Sequence, residues 1–192
     1  MVGPRVPDAG GADDDADARD GSAPTHADLP CGERVRRDAF DLGMREYDCA
    51  CGERHAVVLD VHPPSRFLPE SVVEVLRESV EPSAEDAYDE FDTPHLLGVA
   101  MKEFPDDVVA VDAGADETVG YGVLWVTSFD ARTLHERVVE LVVELMDHAV
   151  SHARDDDARD AFEAQMLDFD VGEFVETYRA ERDFDDEFDG PT

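Results

Sequence analysis

Cys-Gly-Glu-Arg at residues 31–34 recurs as Cys-Gly-Glu-Arg at residues 51–54, and this repeated tetrapeptide decides how the N-terminal part of the chain folds. Cys49 lies just before the second copy and His55 follows it, so the window holds all three cysteines of the protein. Glycine after cysteine favours a tight turn, because it accepts positive φ. Three thiolates and one imidazole also form a complete ligand set for a structural zinc ion. The window therefore predicts one zinc ion bound by Cys31, Cys49, Cys51 and His55.

Three alternatives stay open at this point. His62 can replace His55 as the fourth ligand. The cysteines can instead be inert buried thiols, since free cysteine is among the most buried residue types. A disulfide between Cys31 and Cys49 or Cys51 is the third reading, although nothing in the sequence indicates an oxidising compartment.

The segments around these cysteines read as short strands. Residues 44–48 and 56–61 are predicted to be extended and joined by a tight turn at 51–54, with Val35 on a third strand. Over residues 29–62 this pattern resembles a degenerate zinc ribbon, in which two Cys-Gly knuckles on neighbouring hairpins hold one ion. It departs from the usual Cys-x-x-Cys-Gly knuckle, because Asp28 stands where the other cysteine of the first knuckle is expected. The second knuckle has the closer spacing Cys-x-Cys.

The composition is strongly acidic. Asp and Glu number 49 against 16 Lys and Arg, the net charge is -33, and the only lysine is Lys102. Self-repulsion of this size strains a compact fold in dilute salt, whereas at 1 M salt the screening length falls to about 3 Å. We therefore expect a protein of a halophilic cytoplasm. Disorder throughout is excluded, because the middle of the chain is richly and periodically apolar.

Charge is unevenly distributed along the chain. Residues 31–66 carry six arginines and seven acids and are therefore nearly neutral. Arginines on a ribbon can meet an acidic partner or a phosphate bidentately, and in the alternative reading they only balance nearby carboxylates. The candidate partner-binding residues are Arg34, Arg36, Arg37 and Arg45.

The predicted fold class is α+β, with a zinc-ribbon-like β module followed by a mixed domain. We expect an acidic disordered tail at 1–28, the module at 29–66, the α+β domain at 67–182 and a second disordered acidic tail at 183–192. No apolar signal segment follows Met1 and no apolar run is long enough to span a bilayer. The protein is therefore expected to be soluble and cytoplasmic.

In the second domain the apolar spacing predicts a small antiparallel sheet packed by a long helix and several shorter helices. The strands are expected at 107–112 and 119–127, joined by a turn at 114–117. Pro69 is expected to begin one helix, and an acidic loop at 81–92 follows it. The other predicted helices are one with Thr93 as N-cap and Pro94 as N1, the long one at 131–154 capped by Asp130, and two more at 158–169 and 171–182, the last capped by Asp170.

No phosphate-binding glycine loop, nucleophile elbow or paired catalytic carboxylates are recognisable. The leading hypothesis is a non-enzymatic, zinc-stabilised binding or adaptor protein with a protein partner and without a nucleic-acid partner. The alternative is a metal-dependent enzyme with a histidine-rich cleft, drawn from His62, His95, His135, His148 and His152. Glu144, His148 and His152 follow at helical spacing, either as a metal-binding row or as the packing boundary of the long helix.

Four segments together resemble an uncharacterised haloarchaeal protein family of unknown function. They are Leu-Pro-Cys-Gly at 29–32, Met-Arg-Glu-Tyr-Asp-Cys-Ala-Cys-Gly at 44–52, Asp-Val-His-Pro-Pro-Ser-Arg-Phe at 60–67 and His-Ala-Val-Ser-His-Ala at 148–153. The resemblance implies a halophilic archaeal setting and supplies no activity. Functional inference therefore rests on the residues themselves.

Overall fold

The computed structural model describes residues 26–80, 89–112, 121–151, 164, 166 and 169–182. The predicted tail at 183–192, the turn at 114–117 and most of the predicted helix at 158–169 lie outside the described residues, as does His152. Most of the predicted N-terminal tail and of the acidic loop at 81–92 lies outside them as well.

A two-stranded antiparallel sheet opens the described chain. It pairs β1, His26–Asp28, with β2, Arg34–Arg36, in a register that places Ala27 opposite Val35. Successive side chains of a strand point to opposite faces. Ala27 is therefore buried and Val35 packs against the same core, while the flanking residues of both strands stay exposed. The loop between these strands carries Cys31.

The larger sheet has four strands in the order β3-β4-β6-β5, and every neighbouring pair is antiparallel. The strands are β3, Glu46–Asp48; β4, Arg54–Leu59; β5, Val108–Asp112; and β6, Val123–Thr127. The predicted pairing of the last two strands is confirmed. Because β4 also pairs with β6, the hairpin that carries Cys49 and Cys51 continues into the sheet of the predicted second domain.

Strand β4 is buried on both faces, and its alternation assigns each side chain to one of two cores. Ala56 and Val58 face a core formed with the helices. Val57 and Leu59 face a second core that includes residues of the N-terminal hairpin. The four-stranded sheet is therefore a middle layer between the helices and the β1–β2 hairpin.

Four α-helices lie within the described ranges: α1, Glu70–Ser79; α2, Thr93–Glu103; α3, Ala131–Ser151; and α4, Val171–Glu181. Asp130 and Asp170 cap α3 and α4 as predicted, each accepting a hydrogen bond from the backbone N–H three residues on. Thr93 was wrongly predicted as the N-cap of α2. Asp92 holds that position, because its carboxylate accepts from the Thr93 N–H while the His95 ring accepts from the Asp92 N–H.

Helix α3 is the long helix that the sequence predicted, and it covers one face of the sheet. Its buried side chains Leu134, Val138 and Val142 share a core with Val58 and Trp125 of the two central strands. The α+β fold class is therefore confirmed, with small antiparallel sheets and a zinc-ribbon-like arrangement of the N-terminal strands.

Candidate metal centre

The two Cys-Gly knuckles form the same turn twice. In the first, the Leu29 N–H donates to the Glu33 carbonyl at 2.8 Å and the Gly32 N–H donates to the Leu29 carbonyl at 2.9 Å. In the second, residues 49–53 repeat both bonds at 3.0 Å. Gly32 and Gly52 have φ of 86° and 95°, a region that residues with a Cβ rarely adopt. The predicted role of these glycines is confirmed.

This repeat shows which cysteine the first knuckle lacks. In the second knuckle, the Cys49 backbone makes the two hydrogen bonds that the Leu29 backbone makes in the first. Leu29 is therefore the structural equivalent of Cys49. Asp28 is the position that the usual spacing Cys-x-x-Cys-Gly assigns to the missing cysteine, whereas the Cys-x-Cys spacing of the second knuckle corresponds to Leu29. Leu29 is buried in the core beneath the hairpin. The first knuckle therefore offers one thiol and the second offers two.

The structure brings together the four residues that the sequence singled out. Cys31 Sγ lies 3.8 Å from Cys49 Sγ, and Cys51 Sγ lies 3.5 Å from His55 Nε2. All four ligand atoms lie within 4.8 Å of one another. The cluster can hold a metal ion, and the described residues contain no other group of three or more His, Cys, Asp or Glu side chains that can.

His55 is oriented by a neighbouring strand. Its side chain is buried on β4, and Nδ1 donates to the backbone carbonyl of Thr127 on β6 at 2.7 Å. With the proton on Nδ1, the lone pair of Nε2 faces Cys51. A hydrogen bond on the far ring nitrogen is the usual support of a metal-binding histidine. His55 therefore has the geometry of the fourth ligand.

The thiols differ in their surroundings. The pKa of Cys51 is lowered to about 7, chiefly by a hydrogen bond from the backbone N–H of Glu53. Burial raises the pKa of Cys49 to about 11. A bound cation favours the thiolate form of every coordinating cysteine and offsets this burial penalty.

The alternative readings of the cysteines fit the geometry less well. All three are free thiols, and the 3.8 Å between Cys31 and Cys49 far exceeds a disulfide bond of about 2.0 Å. Cys31 and Cys51 are exposed and Cys49 is half-buried, so they are not the buried apolar thiols of an ordinary core.

Three of the other histidines form hydrogen bonds to separate backbone groups. His62 donates from Nε2 to the Leu42 carbonyl and accepts the Leu59 N–H at Nδ1, so it stands apart from the cysteine cluster. His95 caps α2. His135 is buried in the helical layer and donates from Nε2 to the Phe67 carbonyl at 2.7 Å. His148 is exposed on α3, and His152 lies outside the described residues.

The four candidate partner-binding arginines have different environments. Arg34 and Arg36 are exposed on β2 and pair with Asp28 and Asp38. Arg37 is buried and donates to the Asp112 carbonyl at 3.1 Å. Arg45 lines a separate cavity on the described surface.

Sequence comparison places these residues inside one family. A family model described as "Family of unknown function (DUF5815)" matches residues 27–182. No curated protein sequence and no solved structure matches the chain. Within the described part of the chain, none of the helices has the length and apolar character that crossing a bilayer requires.

Proposed function

We propose, from the premise that the chain belongs to this family of unknown function, that it is a non-enzymatic binding or adaptor protein whose N-terminal hairpins are fastened by one zinc ion. The distances within the cluster carry the proposal. Tetrahedral zinc, with Zn–S of about 2.3 Å and Zn–N of about 2.0–2.1 Å, separates two sulfurs by about 3.8 Å and a sulfur from a nitrogen by about 3.5–3.6 Å. Two of the six separations in the cluster, 3.8 Å between the sulfurs of Cys31 and Cys49 and 3.5 Å between Cys51 Sγ and His55 Nε2, match these values, and all six are within 4.8 Å.

The ligand set favours a structural role for the ion. Catalytic zinc keeps one position open for water, whereas structural zinc is closed by four protein ligands. Three cysteines and His55 close the site. His62, His95 and His135 each hydrogen-bond to a different backbone group, so these three give no support to the enzyme alternative.

The ion would join two hairpins that belong to separate sheets. A two-stranded hairpin such as β1–β2 is marginally stable by itself. Cys31 lies in the loop of this hairpin, while Cys49 and Cys51 lie in the turn between β3 and β4. The free energy of metal binding then becomes folding free energy of the N-terminal layer.

The exposed arginines of β2 are the proposed contact residues. Arg34 and Arg36 make exposed ion pairs, which contribute about 0–1 kcal/mol and exchange readily for the carboxylates of a partner. A protein partner is favoured over nucleic acid, because the net charge of -33 repels phosphates and high salt weakens phosphate contacts further. The proposed setting is a halophilic cytoplasm.

Elemental analysis of the full-length protein, purified in high salt without chelator, tests the metal. We expect about one zinc per chain, lost in Cys31→Ser and in His55→Asn. His95→Gln is the matched control, because His95 caps α2 outside the cluster. Wild-type protein without metal, with three freely titrating thiols, would contradict the zinc proposal.

Affinity capture in multimolar KCl tests the partner. A protein captured by the wild type and lost with Arg34→Gln and Arg36→Gln, but retained with Arg132→Gln, supports the contact surface. Arg37 is unsuitable for this test because it is buried against the Asp112 carbonyl. Capture of a defined RNA or DNA that depends on Arg34 and Arg36 would contradict the choice of partner.

A further inference from the structure

A second candidate site lies apart from the cysteines, in a cavity of about 350 Å³. Arg45, Arg66 and Arg182 line it together with His62 and Ser65. None of the described residues that line it is acidic, although the whole chain has 49 acids against 16 bases. Three guanidinium groups therefore line one cavity of a strongly acidic protein.

The Arg182 head group is positioned by neutral groups. It donates to the Ser65 carbonyl at 2.6 Å, and its guanidinium carbon lies 4.5 Å from the centre of the Tyr178 ring. The Tyr178 hydroxyl donates to the same Ser65 carbonyl at 2.7 Å. These contacts fix the side chain without neutralising its charge.

His62 lines the same cavity and contacts one of its arginines. Its Nδ1 accepts hydrogen bonds from the Leu59 N–H and from Arg66, while Nε2 donates to the Leu42 carbonyl at 2.9 Å. This pattern requires the neutral ring. The pKa of His62 is lowered, first by burial and then by the charges of Arg66 and Arg45. The ring therefore serves as an acceptor that orients Arg66.

We propose that this cavity, the arginine pocket of Arg45, Arg66, Arg182 and His62, binds the phosphate group of a small phosphorylated molecule. Its volume lies in the range of small-molecule sites, about 300–1,000 Å³. Guanidinium forks match phosphate oxygens in bidentate geometry. The remainder of the ligand would lie against Leu42 and Pro63, which also line the cavity. The proposal is independent of zinc.

The charge balance favours phosphate over carboxylate. A phosphate monoester carries a charge of about −1.5 to −2 at neutral pH and three acceptor oxygens. A single carboxylate offers one charge and two oxygens. Three guanidinium groups that approach from separate segments are better matched by the phosphate.

The test titrates the full-length protein with inorganic phosphate and with glycerol phosphate, in KCl that preserves native circular dichroism, by calorimetry or ³¹P NMR. We expect saturable binding, weakened about 10- to 100-fold in Arg66→Gln because a charge-assisted bidentate contact is lost. Arg66→Lys keeps the positive charge but loses the bidentate geometry of the guanidinium group. Its affinity for phosphate should therefore lie between those of the wild type and Arg66→Gln. Arg132→Gln, on the exposed side of α3, should bind as the wild type does.

Several outcomes would overturn the proposal. They are the absence of saturable phosphate binding, equal affinity in Arg66→Gln and Arg132→Gln, and tighter binding of succinate than of glycerol phosphate. Binding to vesicles that contain phosphatidic acid, without binding of glycerol phosphate, would contradict the proposal that the ligand is a small soluble molecule. Arg182→Gln provides a second variant from another segment, and melting curves of each variant separate lost binding from lost folding.

Discussion

The buried carboxylate of Glu46 accepts a 2.7 Å hydrogen bond from the backbone N–H of Ala131, the first residue of α3. Its other oxygen accepts from Arg54 at 2.8 Å. An anion at a helix N-terminus is stabilised by the unpaired N–H groups and by the helix dipole. Glu46 therefore ties the β3–β4 hairpin to α3, the helix that covers one face of the sheet.

Replacing Glu46 by Ala should lower the free energy of unfolding by about 1–3 kcal/mol, because the Ala131 N–H loses its partner in a buried setting. Urea unfolding at constant KCl measures this loss. Glu74→Gln, on the exposed side of α1, is the control and should change stability little. A Glu46→Ala protein as stable as this control would contradict the assigned role.

Alanine at Gly32 or Gly52 should destabilise the knuckles by about 1–3 kcal/mol and weaken metal retention. A Cβ at either position meets nothing within 4 Å, so the penalty comes from φ of 86° and 95° and not from a clash. Gly98 on α2 has equal space and a helical backbone, and Gly98→Ala should be neutral or stabilising by about 0.5–1 kcal/mol. Thermal unfolding and elemental analysis of the three variants provide the comparison.

Stability should fall as the pH drops below about 6.5, because His135 stays neutral in the folded state. Its pKa is lowered from 6.5 to about 4, first by burial, with Arg179, Arg66 and Arg182 adding to the shift. The unfolded chain binds a proton that the folded chain does not, so stability is lost between these two values. The loss at pH 5 relative to pH 7 should be roughly 2 kcal/mol.

Chemical-shift titration of His135 measures this pKa directly. His135→Gln should flatten the part of the pH dependence that the imidazole contributes, leaving the part that comes from the carboxylates. A His135 that titrates near 6.5 in the native protein would contradict the interpretation.

Lowering KCl from multimolar to millimolar should expand or unfold the protein. With a net charge of -33, carboxylate repulsion is no longer screened, and the screening length rises from about 3 Å to about 30 Å at 0.01 M salt. Circular dichroism and melting temperature across a KCl series provide the measurement. The zinc concentration is kept constant across the series, so that unfolding caused by loss of metal is not mistaken for unfolding caused by low salt. An unchanged melting temperature in dilute salt would count against a halophilic protein.

Local chemistry made part of this structure predictable. Gly32 and Gly52 indicated positive φ, and Asp130 and Asp170 indicated helix N-termini, because each signal acts within a few residues. Asp92 was missed for a local reason, since it stands beside Thr93 and both residue types cap helices. The four clustered ligands were also predictable, because they fall within 25 residues of the sequence.

The long-range contacts were not predictable from periodicity. Glu46 and Ala131 are 85 positions apart, and Arg182 and Ser65 are 117 apart. Nothing in a single sequence marks such partners, because their approach is set by the packing of whole elements. The same holds for Thr127, whose carbonyl orients His55 from 72 positions away.

The hairpin of β1 and β2 contributes a single ligand, Cys31, to a site whose other ligands belong to the β3–β4 hairpin. Docking of this hairpin and occupancy of the site are therefore two linked equilibria. Such linkage is reciprocal. If the bound ion raises the affinity of the protein for a partner, then the bound partner raises the affinity of the protein for the ion by the same factor. In a protein that works as proposed, the metal supply would set the fraction of molecules in which the hairpin that carries Arg34 and Arg36 is docked, and a bound partner would raise the affinity for the metal.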